Sequence, residues 1–426
     1  MSGEVRTSVC ILGGGPGGSA AALQLAKLGV PCVLVEKAVF PRDKVCGDAL
    51  SGKVMRTLER LDPDLAAVVK RDGHAMPSWG VTFVAPSGRS LRVPFSRQTG
   101  LGEAPGVILP RLQFDDLLFQ RAKHAEGVTV IEGAAARAFE RMPDGWHVAI
   151  EHGSARSGQE VPSTIVAPLL IDASGANSGF ARHLAGLAME PRHHAAGVRA
   201  YYHGVRDLDP QGFIELIFLK DLLPGYLWVF PLPGGRANVG LGLRSDVVKA
   251  RRADLKVLLV KLLAEHPQLR DRFVAATLDG PIQGMGLPLA SKRQRLSGDG
   301  YMLVGDAGHL IDPFTGEGIS HAMISGVHAA TLASEALRAG RTDAAHLKTY
   351  DQRVWKRLGQ ELAISTRLQQ LANNAWLFDF VVDRANKNPA LADTISSMFT
   401  DLDLRARLKK PGFYMDLLLG RPPKTS

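Results

Sequence analysis

Apolar and polar positions follow two different periods within the first forty residues of the chain. A short apolar run at 9–12 stops at a cluster of glycines, an alanine-rich stretch with helical spacing follows, and a second apolar run at 32–35 ends at Glu36. Continuous apolar runs bounded by turns are typical of buried strands, and the spacing between them is typical of a helix. The pattern predicts a strand, a tight turn, a helix and a second strand, which form a βαβ unit.

The same analysis predicts the elements that follow. A hairpin is expected at 80–95 around a turn at 86–88, helices at 53–61 and 110–122, and strands at 128–131, 146–150 and 163–171. Four strand-like runs separated by turns, at 197–202, 213–219, 226–230 and 237–243, indicate an antiparallel sheet. Helices are predicted at 254–265, 268–276 and 319–338, a strand at 301–304, and a helical pattern from 342 with an interruption near Asn388.

The order of these elements predicts a discontinuous architecture. A Rossmann-like α/β domain is assigned to 1–79, 110–190 and 285–340, because glycine-bearing turns follow strands in each of these segments. An antiparallel-sheet domain, assigned to 80–109 and 191–284, is inserted into it, and 341–426 form a C-terminal helical region. The fold class is α/β, or α+β for the whole chain. Such a domain suits a long ligand with a nucleotide at one end and a reactive ring at the other.

Composition narrows the class of protein. The chain has 426 residues, of which 45% are hydrophobic and 22% charged, as in an ordinary globular protein. Its three cysteines form no disulfide or metal-binding pattern, so no metal is expected and a reducing, cytoplasmic location is predicted. No signal peptide is visible, and no apolar stretch reaches the roughly 20 residues needed to span a bilayer.

The formal net charge of +9 favours anionic partners, such as a dinucleotide or an acidic lipid surface. Basic residues are spread along the chain with acidic residues between them, and only 6% of the residues are aromatic. No nucleic-acid-binding module is recognisable, so a nucleic-acid partner is not expected.

The first turn carries the G-x-G-x-x-G fingerprint at Gly13, Gly15 and Gly18. Gly13 permits the turn, Gly15 lets a pyrophosphate approach the backbone, and Gly18 lets helix and strand pack closely. Glu36 follows about 20 residues later, where a carboxylate binds ribose hydroxyls. The strand, the helix and the acidic residue together indicate a dinucleotide site, and a purely structural turn is the less favoured interpretation.

Other segments carry candidate chemistry. Residues 40–50 place Arg42, Lys44 and Cys46 in one short loop, where Cys46 is either a reactive thiol or a small buried residue. Tyr226, Trp228 and Phe230 alternate and therefore share one face of a strand, either as a substrate surface or as core aromatics.

At this point the chain resembles a known family. The fingerprint with Glu36 and the late Gly305-Asp306 resemble the FAD fold shared by aromatic hydroxylases, flavin halogenases and geranylgeranyl reductases. Three motifs are most similar to the geranylgeranyl reductases, and the resemblance covers about residues 5–340. They are residues 41–47 (PRDKVCG), 226–231 (YLWVFP) followed by Gly240 and Gly242, and 313–318 (PFTGEG).

The resemblance implies non-covalent FAD and reduction of carbon–carbon double bonds in an isoprenoid chain of a lipid, quinone or pigment precursor. Its implied catalytic residues are Cys46, as proton donor, with Tyr226 and Trp228, and its implied substrate residues are Tyr226, Trp228 and Phe230. Its implied cofactor-binding residues are Gly13, Gly15, Pro16, Gly17, Gly18, Glu36, Lys37, Arg42, Lys44, Cys46, Gly47, Arg111, Ala135, Asp306, Gly316, Gly318 and Ile319. The helix after Gly318 is expected to direct its positive end at the flavin.

Two departures from related families bear on the alternatives. Hydroxylases of this fold carry Asp-Gly where this chain has Ser174-Gly175, which leaves the electron donor, NADPH or ferredoxin, undecided. Halogenases carry W-x-W-x-I-P at 226–231, which this chain does not. An FAD-dependent monooxygenase or halogenase stays open as one alternative, and a prenyl-lipid carrier with structural FAD as another. His309 is interpreted as a packing residue, and Cys10 and Cys32 as core residues.

A peripheral contact with the inner face of a membrane is a further expectation, because a prenyl substrate partitions into bilayers. Apolar residues at 376–382 and 413–419, with basic residues at 405–410 and Arg421, fit interfacial binding. The same residues also fit packing against the rest of the protein, which is the favoured interpretation.

Overall fold

The computed structural model describes residues 3–95, 102–152 and 163–388, and all structural statements concern these residues. The strands are β1 (Glu4–Arg6), β2 (Val9–Leu12), β3 (Cys32–Glu36), β4 (Ala49–Leu50), β5 (Met76–Ser78), β6 (Gly80–Val84), β7 (Ser90–Pro94), β8 (Gly106–Ile108), β9 (Val128–Glu132), β10 (Ala134–Met142), β11 (Gly145–His152), β12 (Thr164–Ala167), β13 (Leu169–Asp172), β14 (His194–His203), β15 (Ile214–Ile217), β16 (Tyr226–Leu232), β17 (Arg236–Arg244), β18 (Thr277–Pro288), β19 (Ser297–Gly298) and β20 (Tyr301–Leu303). The helices are α1 (Pro16–Lys27), α2 (Gly52–Leu61), α3 (Pro63–Arg71), α4 (Arg111–Lys123), α5 (Gly179–His183), α6 (Ser245–Arg251), α7 (Leu255–Glu265), α8 (Arg270–Phe273), α9 (Ile319–Ala339), α10 (Ala344–Leu371) and α11 (Ala375–Lys387).

The predicted βαβ unit is confirmed and lies at the centre of a six-stranded sheet. Its strand order is β19-β20-β13-β2-β3-β9, and all neighbours from β20 to β9 run parallel. β2 and β3 are buried along their whole length, which explains why they read as continuous apolar runs. The three glycine-bearing turns follow β2, β13 and β20, so this strand order brings distant parts of the chain to one edge of the sheet.

The helices α1 and α9 approach each other closely at two glycines. A methyl group on Gly326 of α9 would lie 2.3 Å from the Gly17 carbonyl oxygen of α1. A methyl group on Gly17 would lie 2.7 Å from a side-chain carbon of Val304 and 3.2 Å from the Ala322 carbonyl oxygen. The two helices therefore pack backbone to backbone, although about three hundred residues of chain separate them.

The prediction of one strand at 163–171 is wrong. β12 belongs to a four-stranded sheet of order β1-β12-β11-β10, whereas β13 joins the central sheet. Pro168 lies between the two strands and lacks the N–H that a continuous ladder needs. The apolar pattern continues from β12 across Pro168 into β13 because both strands are buried.

The predicted antiparallel sheet is confirmed in a larger, seven-stranded form of order β18-β14-β17-β16-β15-β6-β7. The predicted hairpin of β6 and β7 joins it through β15, and that single pairing is parallel. The sequence did not indicate the long edge strand β18, whose glycines and exposed positions obscure its period. The helix expected at 268–276 is limited to the single turn of α8. The assigned domain boundaries stay a prediction.

The C-terminal helices α10 and α11 pack on the rest of the chain. Phe378 of α11 is buried, and its ring centroid lies 4.3 Å from that of Phe218 and 6.4 Å from that of Phe314. The expected apolar and basic segments at 405–421 lie outside the described residues. Within 3–95, 102–152 and 163–388, no helix combines the length and the apolar character that crossing a membrane requires.

Candidate functional site

The glycine turn after β2 is closed on one side and open on the other. Gly13 has φ +92°, and a Cβ there would lie 2.6 Å from the Ala173 carbonyl oxygen. A Cβ on Gly18 would lie 1.8 Å from the Gly13 carbonyl oxygen. In contrast, a Cβ on Gly15 would have one heavy atom in its surroundings, Nη2 of Arg42 at 3.5 Å. Gly13 and Gly18 are thus needed for packing, whereas Gly15 faces open space beside a cation.

Glu36, at the end of β3, is fixed by the backbone. The Gly14 N–H donates to Oε2 at 2.7 Å and the Ala38 N–H donates to Oε1 at 2.8 Å. The side chain is 5% exposed and borders the cavity described below. A carboxylate held by two N–H donors stays oriented without a ligand, as a ribose-binding acid requires.

The 41–48 loop is joined to α4 by charged contacts. Nη1 of Arg42 donates to Asp115 at 2.7 Å, and Nε and Nη2 of Arg111 donate to the same carboxylate at 2.5 and 2.7 Å. Asp115 is 1% exposed, so two guanidinium groups share one buried acid. The site therefore holds a positive charge next to Cys46.

Cys46 borders the cavity, whereas Cys10 and Cys32 are buried in the core strands. Burial raises the pKa of the Cys46 thiol and the Arg111 guanidinium acts in the opposite direction. The negative charge of the Asp48 carboxylate raises this pKa, whereas a hydrogen bond with the Asp48 backbone lowers it. The net result is a thiol that stays protonated at neutral pH, which suits a general acid better than a nucleophile.

The predicted aromatic strip lies on β16 and also borders the cavity. The Tyr226 hydroxyl donates to the Thr315 carbonyl oxygen at 2.5 Å, and the Trp228 Nε1–H donates to Asn238 Oδ1 at 2.8 Å. The Phe230 ring is so close to the 41–48 loop that a Cβ on Gly47 would lie 2.6 Å from it. All three rings thus have fixed positions beside Cys46.

The loop that follows β20 forms the other side of the cavity. Residues 305–308 form a 3₁₀ turn that contains Asp306, and α9 begins at Ile319 after Gly318, which caps the helix without a side-chain hydrogen bond. Gly316 has φ +73°, and a Cβ there would lie 2.7 Å from the Tyr226 hydroxyl oxygen. In the first turn of α9, the Ser320 backbone N–H donates to Glu317 Oε1 at 3.0 Å, so one donor of this helix N-terminus is already occupied by a carboxylate.

These elements enclose one cavity of about 410 Å³. The predicted site residues that border it are Gly13, Gly15, Pro16, Gly17, Glu36, Lys37, Arg42, Lys44, Cys46, Gly47, Arg111, Tyr226, Trp228, Phe230, Asp306, Gly316, Gly318 and Ile319. Gly18 lies behind the turn, where it serves packing. Ala135 lies on β10 of the four-stranded sheet and is not among the residues that border the cavity.

Several residues at the site were missed by sequence reasoning. Asp48, Asn238 and Tyr201 form a hydrogen-bonded group behind Cys46, and Asp115 holds the two arginines. The one available signal was Asn238, a polar residue in the apolar strand 237–243 that is 0% exposed. His309 borders a second, small pocket with His194, and this pocket shares Gly175 and Asp306 with the main cavity.

Comparison with known proteins defines the class first. A family model described as FAD binding domain matches residues 6–217. The solved structure of a geranylgeranyl bacteriochlorophyll reductase-like protein from Thermoplasma acidophilum superposes with a TM-score of 0.77 at 25% identity, covering 93% of this chain and 100% of that one. The fold is that of an FAD-dependent oxidoreductase, as predicted.

Curated relatives then define the family. A digeranylgeranylglycerophospholipid reductase of Methanopyrus kandleri is 33% identical over 355 residues, which cover 81% of this chain and 85% of that protein. A menaquinone reductase of Mycobacterium tuberculosis is 30% identical over 350 residues, which cover 78% of each chain. The chain belongs to the geranylgeranyl reductase family of FAD-dependent oxidoreductases.

The residues present fit FAD. The open side of Gly15, beside the Arg42 guanidinium and at the N-terminus of α1, offers space and positive charge for a diphosphate. Glu36 offers acceptors for ribose hydroxyls, and Asp306 and the first residues of α9 border the same cavity.

Proposed function

We propose that the protein reduces carbon–carbon double bonds in an isoprenoid chain of a lipid, quinone or pigment precursor. The observation that carries the proposal is that one cavity runs from the glycine turn to an apolar wall that contains Cys46 and the three β16 aromatics. The names of the relatives support an isoprenoid lipid or quinone as substrate.

Reduced FAD, when bound, supplies the hydride for one alkene carbon. Cys46 Sγ–H donates the proton to the other carbon, so that two hydrogens are added and a thiolate is left, which solvent reprotonates. Tyr226, Trp228 and Phe230 exclude water from the chain and hold it against the thiol. The Tyr226 hydrogen bond to Thr315 keeps that ring in register with the 313–318 loop.

The decisive experiment is anaerobic turnover of a geranylgeranyl lipid by chemically reduced holoenzyme. The product mass should rise by two hydrogens for each double bond reduced, and Cys46→Ala with equal flavin content is the matched control. Mass spectrometry of lipids that copurify with the protein would narrow the range of candidate substrates. An unchanged lipid mass, together with oxygen consumption and an oxygenated or halogenated product, would instead support the monooxygenase or halogenase alternative.

The proposal leaves two candidates for the electron donor that reduces the flavin, NADPH and ferredoxin. The Ser174 hydroxyl donates to Asp172 Oδ1 at 2.6 Å, so this position offers no carboxylate to a pyridine nucleotide. Stopped-flow reduction with NADPH and with reduced ferredoxin decides between the two donors. A flavin that no donor reduces, in a protein that binds prenyl lipid tightly, would instead indicate a carrier.

Membrane contact through α11 is a second part of the proposal. This helix buries Phe378 and Val382, whereas Trp376 on the opposite side is 70% exposed and its ring centroid lies 5.8 Å from that of Phe380. Phe380 is half-buried, so Trp376 is the exposed ring of this pair, and an exposed tryptophan is suited to the boundary between lipid headgroups and acyl chains.

A further inference from the structure

Two of the residues proposed to act on the substrate, Cys46 and Trp228, are connected through Asn238 to one buried carboxyl group, that of Asp48. Asn238 Nδ2 donates to Asp48 Oδ2 at 2.7 Å and to the Cys46 carbonyl oxygen at 2.8 Å, and Asn238 Oδ1 accepts from Trp228. The amide of one side chain thus fixes the backbone of Cys46 and the indole of Trp228 relative to Asp48.

Two further hydrogen bonds fix the Asp48 carboxyl group. The Tyr201 hydroxyl donates to Oδ2 at 2.7 Å, and the Arg111 backbone N–H donates to Oδ1 at 3.2 Å. Its own backbone has φ +68°, which Asp and Asn tolerate better than other non-glycine residues. Asp48 and Asn238 are both 0% exposed. A buried carboxyl group in an uncommon backbone conformation, hydrogen-bonded to the side chain that holds both Cys46 and Trp228, exceeds what a simple connecting loop requires.

We propose that Asp48 is a positioning residue whose carboxylate, together with burial, keeps the Cys46 thiol in its protonated, acid form against the positive charge of Arg111. This proposal rests on the proposed function, in which Cys46 is the proton donor. An arginine alone beside a cysteine favours the thiolate, which holds no proton to donate. A carboxylate on the other side opposes that effect.

The charges around both groups agree with this arrangement. Cys46 is faced by Arg111 from α4, by Asp48 from its own loop and by the neutral hydroxyl of Tyr226 from β16. Burial raises the pKa of Asp48 to about 6, while Asn238, Tyr201 and Arg199 act in the opposite direction. Asp48 therefore carries its negative charge at neutral pH, where the thiol must stay protonated.

The test follows the Cys46 thiol directly, in holoenzyme labelled with carbon-13 at cysteine Cβ. The Cβ chemical shift changes when the thiol ionises, and Cys46→Ser assigns the signal. Cys10 and Cys32 serve as internal references, because burial raises the pKa of Cys32 to about 12 and that of Cys10 further. Asp48→Asn keeps a carbonyl oxygen for Tyr201 and Asn238 and suits the left-handed backbone, so it removes mainly the charge.

In Asp48→Asn the midpoint of the Cys46 titration should move to lower pH, with roughly tenfold more thiolate at any pH below it, which corresponds to one pKa unit. The alkaline limb of alkene reduction should move in the same direction. Asp116→Asn, an equivalent change on α4 away from Cys46, should leave the midpoint in place. An unshifted midpoint in an Asp48→Asn protein with full flavin content would overturn the proposal.

If Asp48→Asn does not fold, Asp48→Gly provides the second measurement, because glycine adopts the left-handed backbone of this position and also lacks the carboxylate, so the Cys46 midpoint should again move to lower pH. An unchanged midpoint in Asp48→Gly then overturns the proposal. The titration of Cys46 does not depend on alkene turnover. If the midpoint shifts in a protein that reduces no alkene, the proposed function is wrong, whereas the effect of Asp48 on the thiol is supported.

Discussion

Replacing Gly15 by valine should separate cofactor binding from folding. A Cβ at this position meets only the end of the Arg42 side chain, and the Gly15 backbone has φ −70° and ψ −176°, which valine adopts readily. The loss of glycine flexibility in the unfolded chain contributes about 0.4–1 kcal/mol of stability, and the weaker helix cap costs a similar amount. The apoprotein should therefore melt within a few degrees of wild type.

FAD binding should respond very differently. The valine would occupy the space proposed for the diphosphate and prevent about two charge-assisted hydrogen bonds from backbone N–H groups, each worth about 1.5–3 kcal/mol. The total of about 3–6 kcal/mol corresponds to a rise in Kd of roughly 10²–10⁴-fold.

Titration of apoprotein with FAD, followed by flavin fluorescence, measures this change, and circular dichroism melting measures folding. Gly73→Val, at a glycine with nothing within 4 Å of its Cβ position, is the matched control. A Gly15→Val protein with the wild-type Kd for FAD would show that the diphosphate is bound elsewhere.

Four further outcomes are expected. Cys46→Ala should still bind FAD, and the bound flavin should be reduced at the wild-type rate, but alkene turnover should fall roughly 10²–10⁴-fold. A fall of less than about threefold would show that Cys46 has only a structural role. Asn238→Leu should leave Trp228 and Asp48 without a partner and lower the free energy of unfolding by about 2–4 kcal/mol in urea titrations, and an unchanged urea midpoint would contradict this. Burial lowers the pKa of His309 from 6.5 to about 4, so its contribution to stability is present above pH 6.5 and lost as the pH falls through 4; His309→Asn should remove roughly 2 kcal/mol of the destabilisation measured between pH 7.5 and 5. Flotation with anionic liposomes should show binding that falls with salt and weakens in Lys409→Glu/Lys410→Glu, whereas protein that stays with the unbound fraction at low salt would exclude the membrane contact.

The sequence predicted the parts of the site that are local in the chain. Gly13, Gly15 and Gly18 with Glu36 lie within one βαβ unit, so spacing alone indicates their roles. The turn at Asp306 could be predicted because it follows a short apolar strand, and the parallel order of the sheet brings it to the same edge.

The contacts behind Cys46 could not be predicted in this way. Asn238 and Asp48 are 190 residues apart, and they meet because β17 passes under the 41–48 loop. No periodicity carries that information, since it depends on how two sheets pack. The change of sheet at Pro168 was missed for a related reason. Because β12 and β13 are both buried, they have the same apolar pattern although they belong to different sheets.

The close packing of α1 on α9 has a consequence for how the protein is made. The glycine turn leaves the ribosome about three hundred residues before α9, the helix that packs on Gly17, is complete at Ala339. Domains usually fold during synthesis once their own residues are available. The cofactor pocket therefore gains its last wall only when α9 has been synthesised, and until then the nascent chain presents an incomplete α1 surface to the chaperones of the cell.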